Sequence, residues 1–178
     1  MSFGGSGIRN FSILNSTFIG GNYGINSGSM SGLLLTGNEF YNQSSYSAIV
    51  ASSNIVVTHN YIENGAMTNG QCLDISGGSV AYVFNNTING CGFSGIYLGG
   101  KSNATIENNT IINASKGIYL GGGNLITVRG NNLSSNKEYG LYSDGTDNSR
   151  YLLNYFQGGN ASGIYLGGSD NLVVENNI

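Results

Sequence analysis

Gly95-Ile96-Tyr97-Leu98-Gly99-Gly100 recurs residue for residue at Gly117–Gly122 and at Gly163–Gly168, and a looser copy opens at Gly140-Leu141-Tyr142. The four starts lie 22, 23 and 23 residues apart. Within the hexapeptide, side chains alternate. Ile96 and Leu98, Ile118 and Leu120, and Ile164 and Leu166 fall on one side, with Tyr97, Tyr119 and Tyr165 on the other, which is the period of a strand with one buried face. A unit this short cannot bury its own apolar side, so the copies must stack on one another.

Working outward from the hexapeptide, a second landmark spans nearly the whole chain. It is a small polar residue flanked by apolar positions: Ser16, Asn38, Asn60, Asn86, Asn109, Asn131, Asn154 and Asn177, at intervals of 22, 22, 26, 23, 22, 23 and 23 residues. Three residues before it stand Ile13, Leu35, Val57, Val83, Ile106, Val128, Tyr151 and Val174; two after it stand Phe18, Phe40, Ile62, Ile88, Ile111, Leu133 and Phe156. These rows predict inward-facing positions on at least two further short strands per unit. Stacked units of this kind pair their strands in parallel and enclose one continuous core. The expected fold is all-β, a parallel β-helix of about seven to eight coils with about 22–23 residues per coil. Asn suits the corner because it tolerates the left-handed backbone, and stacked amides can hydrogen-bond from coil to coil. The 26-residue interval between Asn60 and Asn86 predicts a longer loop around Gly65 to Gln71.

Composition agrees with this reading. The 178 residues include 30 Gly, 27 Asn and 12 Tyr, no Pro or Trp, and only 8% charged residues. Gly and Asn are poor helix formers, so strands and turns must dominate. A net charge of −3 lacks the basic footprint that holds a phosphate backbone, which argues against nucleic acid as a partner. No apolar run reaches the roughly 20 residues of a membrane span, and Met1 to Gly7 has no signal-peptide pattern. Residues 1–178 read as a single domain whose end coils carry no capping helix. Two accounts of such ends are open: the chain is cut from a longer β-helix, or it stacks head to tail on, or laterally against, copies of itself.

The 22–23-residue period with Asn corners resembles the right-handed parallel β-helix superfamily, the pectate-lyase-like fold with its carbohydrate-associated repeats. That resemblance implies right-handed winding and a polysaccharide as the class of partner. It carries over no catalytic residue, because the lyase and hydrolase motifs are not visible. Lyases of this fold need basic groups beside an acidic sugar, and Arg9, Lys101, Lys116, Arg129, Lys137 and Arg150 do not gather on one outward ladder. Arg129 falls one coil from Glu107, where an exposed ion pair is the simpler expectation.

Candidate sites are few. Tyr97, Tyr119, Tyr142 and Tyr165 should form a column one coil apart, able to stack on the sugars of an extended glycan or on each other. Upstream the column is interrupted at Asp74, Val50 and Asn26. Asp144, Asp147 and Asp170 are a weak candidate for Ca²⁺, with ordinary Asp turn chemistry as the competing account; no other cofactor is indicated. His59, beside a corner Asn, reads as a turn residue. Cys72 and Cys91 lie on neighbouring coils about four residues out of register, compatible with a disulfide or with two buried thiols. The acceptor pattern Asn-x-Ser/Thr at Asn15, Asn42, Asn85, Asn103, Asn108, Asn113, Asn132 and Asn160 marks candidate glycosylation sites in a secreted protein. Together these features predict an extracellular or cell-surface structural or filament-forming module, with catalysis left open. The alternatives are a polysaccharide-binding module using the Tyr column, or part of a polysaccharide lyase or hydrolase.

Overall fold

Residues 1–3, 9–65, 70–77 and 79–178 are described by a computed structural model of the chain. Its strands pair only in parallel and wind a right-handed solenoid of about seven turns. Among the described residues there is no helix, and so none long and apolar enough to cross a membrane. Residues 66–69 of the longer loop expected between Asn60 and Asn86 fall outside the described residues.

Each turn runs along three faces. The first carries Gln71–Ser76, the opening half of Ser94–Glu107, Lys116–Asn124, Tyr139–Asp147 and Ser162–Gly167. Here Leu73, Ile96, Ile118, Leu141 and Ile164 stand in one row across neighbouring strands. On the second face, Val83, Ile106, Val128, Tyr151 and Val174 are paired in sequence. On the third, Phe18, Phe40, Ile62, Ile88 and Ile111 do the same. The sequence rows are therefore the core rows, and Leu73, Ile96, Ile106, Ile111, Ile118 and Val128 are fully buried. Tyr151 is the one aromatic in its row. Its hydroxyl is held inside the solenoid by Ser143 Oγ at 2.8 Å and Thr146 Oγ1 at 2.7 Å, the polar partner a buried tyrosine requires. In the last coil Leu166 and Val174 are exposed.

The corner asparagines form a continuous ladder. Asn38 donates its side-chain amide to Asn60 Oδ1 at 3.0 Å, Asn60 to Asn86 at 2.9 Å, Asn86 to Asn109 at 2.9 Å, and so on through Asn131 and Asn154 to Asn177. Each Oδ1 also accepts the backbone N–H of the residue one coil before, as Asn109 Oδ1 does from Asn86. The left-handed backbone, however, belongs to the residue in front of the ladder position: Asn15, His59, Asn85, Asn108, Leu153 and Asn176 have φ between 46° and 56°. The expectation that the ladder asparagine itself turns the chain is corrected by one residue. The ladder residue is buried and contributes its amide; its exposed predecessor makes the turn.

Candidate functional site

The outer side of the first face carries the aromatic column. Registers place Tyr97 beside Tyr119, Tyr119 beside Tyr142, and Tyr142 beside Tyr165. Ring centroids are 5.0, 5.1 and 4.4 Å apart along the column, tilted, edge-on and stacked in turn. Phe93 meets Tyr119 edge-on at 5.9 Å, and Tyr139 lies 5.2 Å from Tyr142, so the column widens into a patch. Its rings partly cover one another, and Tyr165 at the end is 39% exposed.

The Gly-Gly that follows each Tyr-Leu explains how the rings lie. A Cβ at Gly99 would come within 3.0 Å of the Tyr97 ring, and one at Gly121 within 3.2 Å of its opposite edge. Tyr97 therefore lies across the two glycines of neighbouring coils and is half-buried there. Tyr165 rests on Gly167 in the same way, 3.0 Å from where a Cβ would stand.

Lys116 sits inside the patch. Its ammonium is 3.0 Å from Glu138 Oε2 and 4.2 Å from the Phe93 ring centre, with Tyr142 and Tyr139 at 5.5 and 5.9 Å. The bond from Lys116, together with one from Ser115, holds the Glu138 carboxyl below its ordinary range. Glu138 falls 22 residues from Lys116, one coil, a pairing sequence reasoning missed although the spacing shows it.

Next to Tyr97 in the sheet stands Asp74. Its Oδ1 is buried without a hydrogen-bond partner, as are Oε1 of Gln71 and Oγ of Ser94, which pair in register three strand positions away. Burial pushes the Asp74 carboxyl above its ordinary pKa, and a bond from Ser76 offsets this in part. Tyr97 is shifted upward, chiefly by its own burial, then by Tyr119 and Asp74. Because the folded state holds the Asp74 proton more tightly than the unfolded chain does, the sign is fixed. Stability must fall as pH rises from the ordinary carboxyl range through the raised value. Asp74→Asn is expected to remove that slope. Urea unfolding over a pH series should show wild type and variant converging on acidification, with the variant the more stable at neutral pH. Upstream of Asp74 the column continues through Ile49, which pairs with Asp74, and Asn26. Val50 therefore stands one register position away from its expected place, opposite Ser27.

A family model described as right handed beta helix region matches residues 3–156 and again 111–178. The chain belongs to that family. Two solved structures share the solenoid of this β-helix, both of the periplasmic alginate epimerase AlgG. A double mutant aligns at 15% identity with a TM-score of 0.67, over 94% of this chain and 48% of that one. The unmutated form aligns at 14% with a TM-score of 0.63, over 92% and 50%. This β-helix thus spans about half the length of those structures. No curated protein matches it.

The remaining candidates are dispersed over this β-helix. Asp147 Oδ1 accepts the backbone N–H of Asp170 at 2.9 Å, a rung between two neighbouring coils, while Asp144 lies on the first face beside Gly121 and Gly167. Among the described residues no three His, Cys, Asp or Glu side chains gather into a group able to hold a metal ion, so the three aspartates are not brought together as the Ca²⁺ reading required. Glu107 and Arg129 form their ion pair on the second face. His59 occupies a corner with φ 53°, its Nδ1 2.7 Å from Thr58 Oγ1. Lys101 is fully buried, and desolvation lowers its ammonium to about 8.

Six of the acceptor-pattern asparagines, Asn15, Asn42, Asn85, Asn103, Asn108 and Asn113, are left-handed corner residues with exposed side chains. The pattern recurs because a corner Asn is followed by an inward residue and then by an outward Thr or Ser. Asn132 lies in a bridge between Thr110 and Tyr155, and Asn160 is in an exposed loop.

Cys72 and Cys91 form a disulfide, with Cα atoms 5.8 Å apart. Cys72 occupies the position held by Gly95, Gly117, Gly140 and Gly163 in later coils, where a Cβ points into the core. Cys91 also faces in, just after the left-handed Gly90, so the two sulfurs meet inside the bend leading from Cys91 to Ser94. A shallow depression of about 180 Å³ lies outside this bend, lined by Asn64, Gly90, Cys91, Gly92, Asn113 and Lys137.

Proposed function

We propose that this β-helix binds an extended polysaccharide along the outer side of its first face, with sugar rings laid on Tyr97, Tyr119, Tyr142 and Tyr165. The observation that carries the reading is the pose of Tyr97, laid over Gly99 and Gly121 and part-exposed at the head of a continuous column of rings. Flat aromatic surfaces are amphipathic platforms at low entropic cost. The shared solenoid of the alginate epimerase structures is consistent with a polysaccharide partner. Of the three roles the residues leave open, filament subunit, glycan module and part of a polysaccharide lyase or hydrolase, the patch of Phe93, Tyr97, Tyr119, Tyr139, Tyr142 and Tyr165 supports the second. The Cys72–Cys91 bridge fits an oxidising, non-cytoplasmic setting.

The test is a screen of immobilised polysaccharides followed by titration of any that bind. Tyr119→Ala removes the ring that touches Tyr97, Tyr142 and Phe93, and binding is expected to weaken at least about tenfold, the loss typical of a central aromatic anchor. Tyr82, 49% exposed on the second face, is the control: Tyr82→Ala should leave binding unchanged. Equal losses in both variants, or no polysaccharide bound by the wild-type chain, would sink the proposal.

A further inference from the structure

The charges and unpaired acceptors around the patch go further than its rings. Resting on the reading above, we infer that the glycan taken by this face is a neutral, hydroxyl-rich polysaccharide and not a polyuronate. The described charged groups on this side are Asp74, Glu138 and Asp144 against Lys116. Asp74 stands beside Tyr97, and Asp144 lies beside Gly167, where a Cβ would meet its Oδ1 at 3.1 Å and the Tyr165 ring at 3.0 Å. The two free carboxylates thus flank the aromatic column at both ends. Lys116, the cation within the patch of rings, is already engaged by Glu138 and by the Phe93 ring, and the exposed Lys137 stands off the column at the depression outside the Cys91–Ser94 bend, so a uronate laid on the rings would find no open partner there. A polyuronate brings one negative charge per sugar into this field, and like charges a few ångströms apart over a partly desolvated surface repel.

The orphaned atoms point the same way. Gln71 Oε1 and Asp74 Oδ1 are acceptors with no donor among the protein groups, and Ser94 Oγ beside them is also unpartnered. Buried acceptors left unpaired are costly, and sugar hydroxyls are the donors that would relieve them. Gln71 and Asp74 are themselves part-exposed, on strand positions adjoining Ser94 and Tyr97. A turn about the terminal bonds of Gln71 and Asp74 presents these covered oxygens to the hydroxyls of a sugar seated on Tyr97.

Calorimetric titration of the full chain with β-1,4-glucan and β-1,4-mannan hexamers, and with mannuronate and galacturonate hexamers, separates the possibilities. The expected result is that a neutral hexamer binds at least about tenfold more tightly than either uronate. A uronate that binds as tightly or more tightly overturns the inference and leaves the polysaccharide reading standing. No binding by any of the four overturns the inference, and failure across the wider screen removes the polysaccharide reading as well. Two variants test the cause. Asp74→Asn should weaken the neutral hexamer and strengthen the uronates. Glu138→Gln, which releases Lys116 without touching the acceptors, should strengthen the uronates alone. Unchanged uronate affinity in both variants would refute the electrostatic basis.

Discussion

Asn109→Ala is expected to lower the free energy of unfolding by about 3 kcal/mol, because one truncation orphans groups in three coils. The Asn109 amide donates to Val83 O at 3.0 Å, Glu107 O at 3.1 Å and Asn131 Oδ1 at 3.0 Å. Its Oδ1 accepts from the backbone N–H and the side-chain amide of Asn86, both at 2.9 Å. Alanine removes all of these, and no solvent reaches the site, since Asn86, Asn109 and Asn131 are each about 1% exposed. Asn108→Ala, one residue earlier, is the contrast. That side chain is exposed, and the loss there reflects only the left-handed φ of 53°. Chemical denaturation of both variants decides the matter. A ladder variant no less stable than the corner variant would show that the amide column is incidental to the fold.

The second large effect belongs to the Cys72–Cys91 bridge. With its ends 19 positions apart in sequence, closing this loop in the unfolded chain is worth about 3 kcal/mol on the chain-entropy account. The double variant Cys72→Ala/Cys91→Ala should lose about that much, and reductant should shift the wild-type urea midpoint while leaving the double variant where it is. Wild type that is indifferent to reductant, with free thiols titrating in the native protein, would contradict the bridge. The substitution also loosens the bend before Phe93 and Ser94, so it reaches the edge of the aromatic patch.

The solenoid was legible because its repeat is written twice, once in the Gly-Ile-Tyr-Leu-Gly-Gly copies and once in the corner residues. Rows such as Ile106, Val128 and Tyr151 needed only counting. The left-handed position was misplaced because Asn fills both places at Asn85-Asn86, Asn108-Asn109 and Asn176-Asn177; the pairs Asn15-Ser16, Gly37-Asn38 and Gly130-Asn131 reveal that the first of the two turns the chain. The column could be read, but the pose of its rings could not, since it depends on glycines two residues on and one coil over. Val50 was displaced by one because the register between the second and third coils shifts between Ser27 and Met30. The disulfide had a signal that went unused: Cys72 stands in a column otherwise filled by Gly24, Ser47, Gly95 and Gly117, all inward. The orphaned oxygens of Gln71, Asp74 and Ser94 have no sequence signal, because which polar atoms find partners is decided by packing across coils.

Every hydrogen bond between successive carboxamides of the spine, from Asn38 to Asn177, is donated in the same direction, toward the C-terminal end. Such a one-way relay can be lengthened or shortened only by complete laps of the backbone. Duplicating the segment from one spine residue to the next inserts a lap that finds a donor behind it and an acceptor ahead, whereas a partial lap severs the relay and turns the apolar rows outward. Genes for proteins built this way can therefore change reach in discrete steps, each adding one more strand to the side that bears the tyrosines.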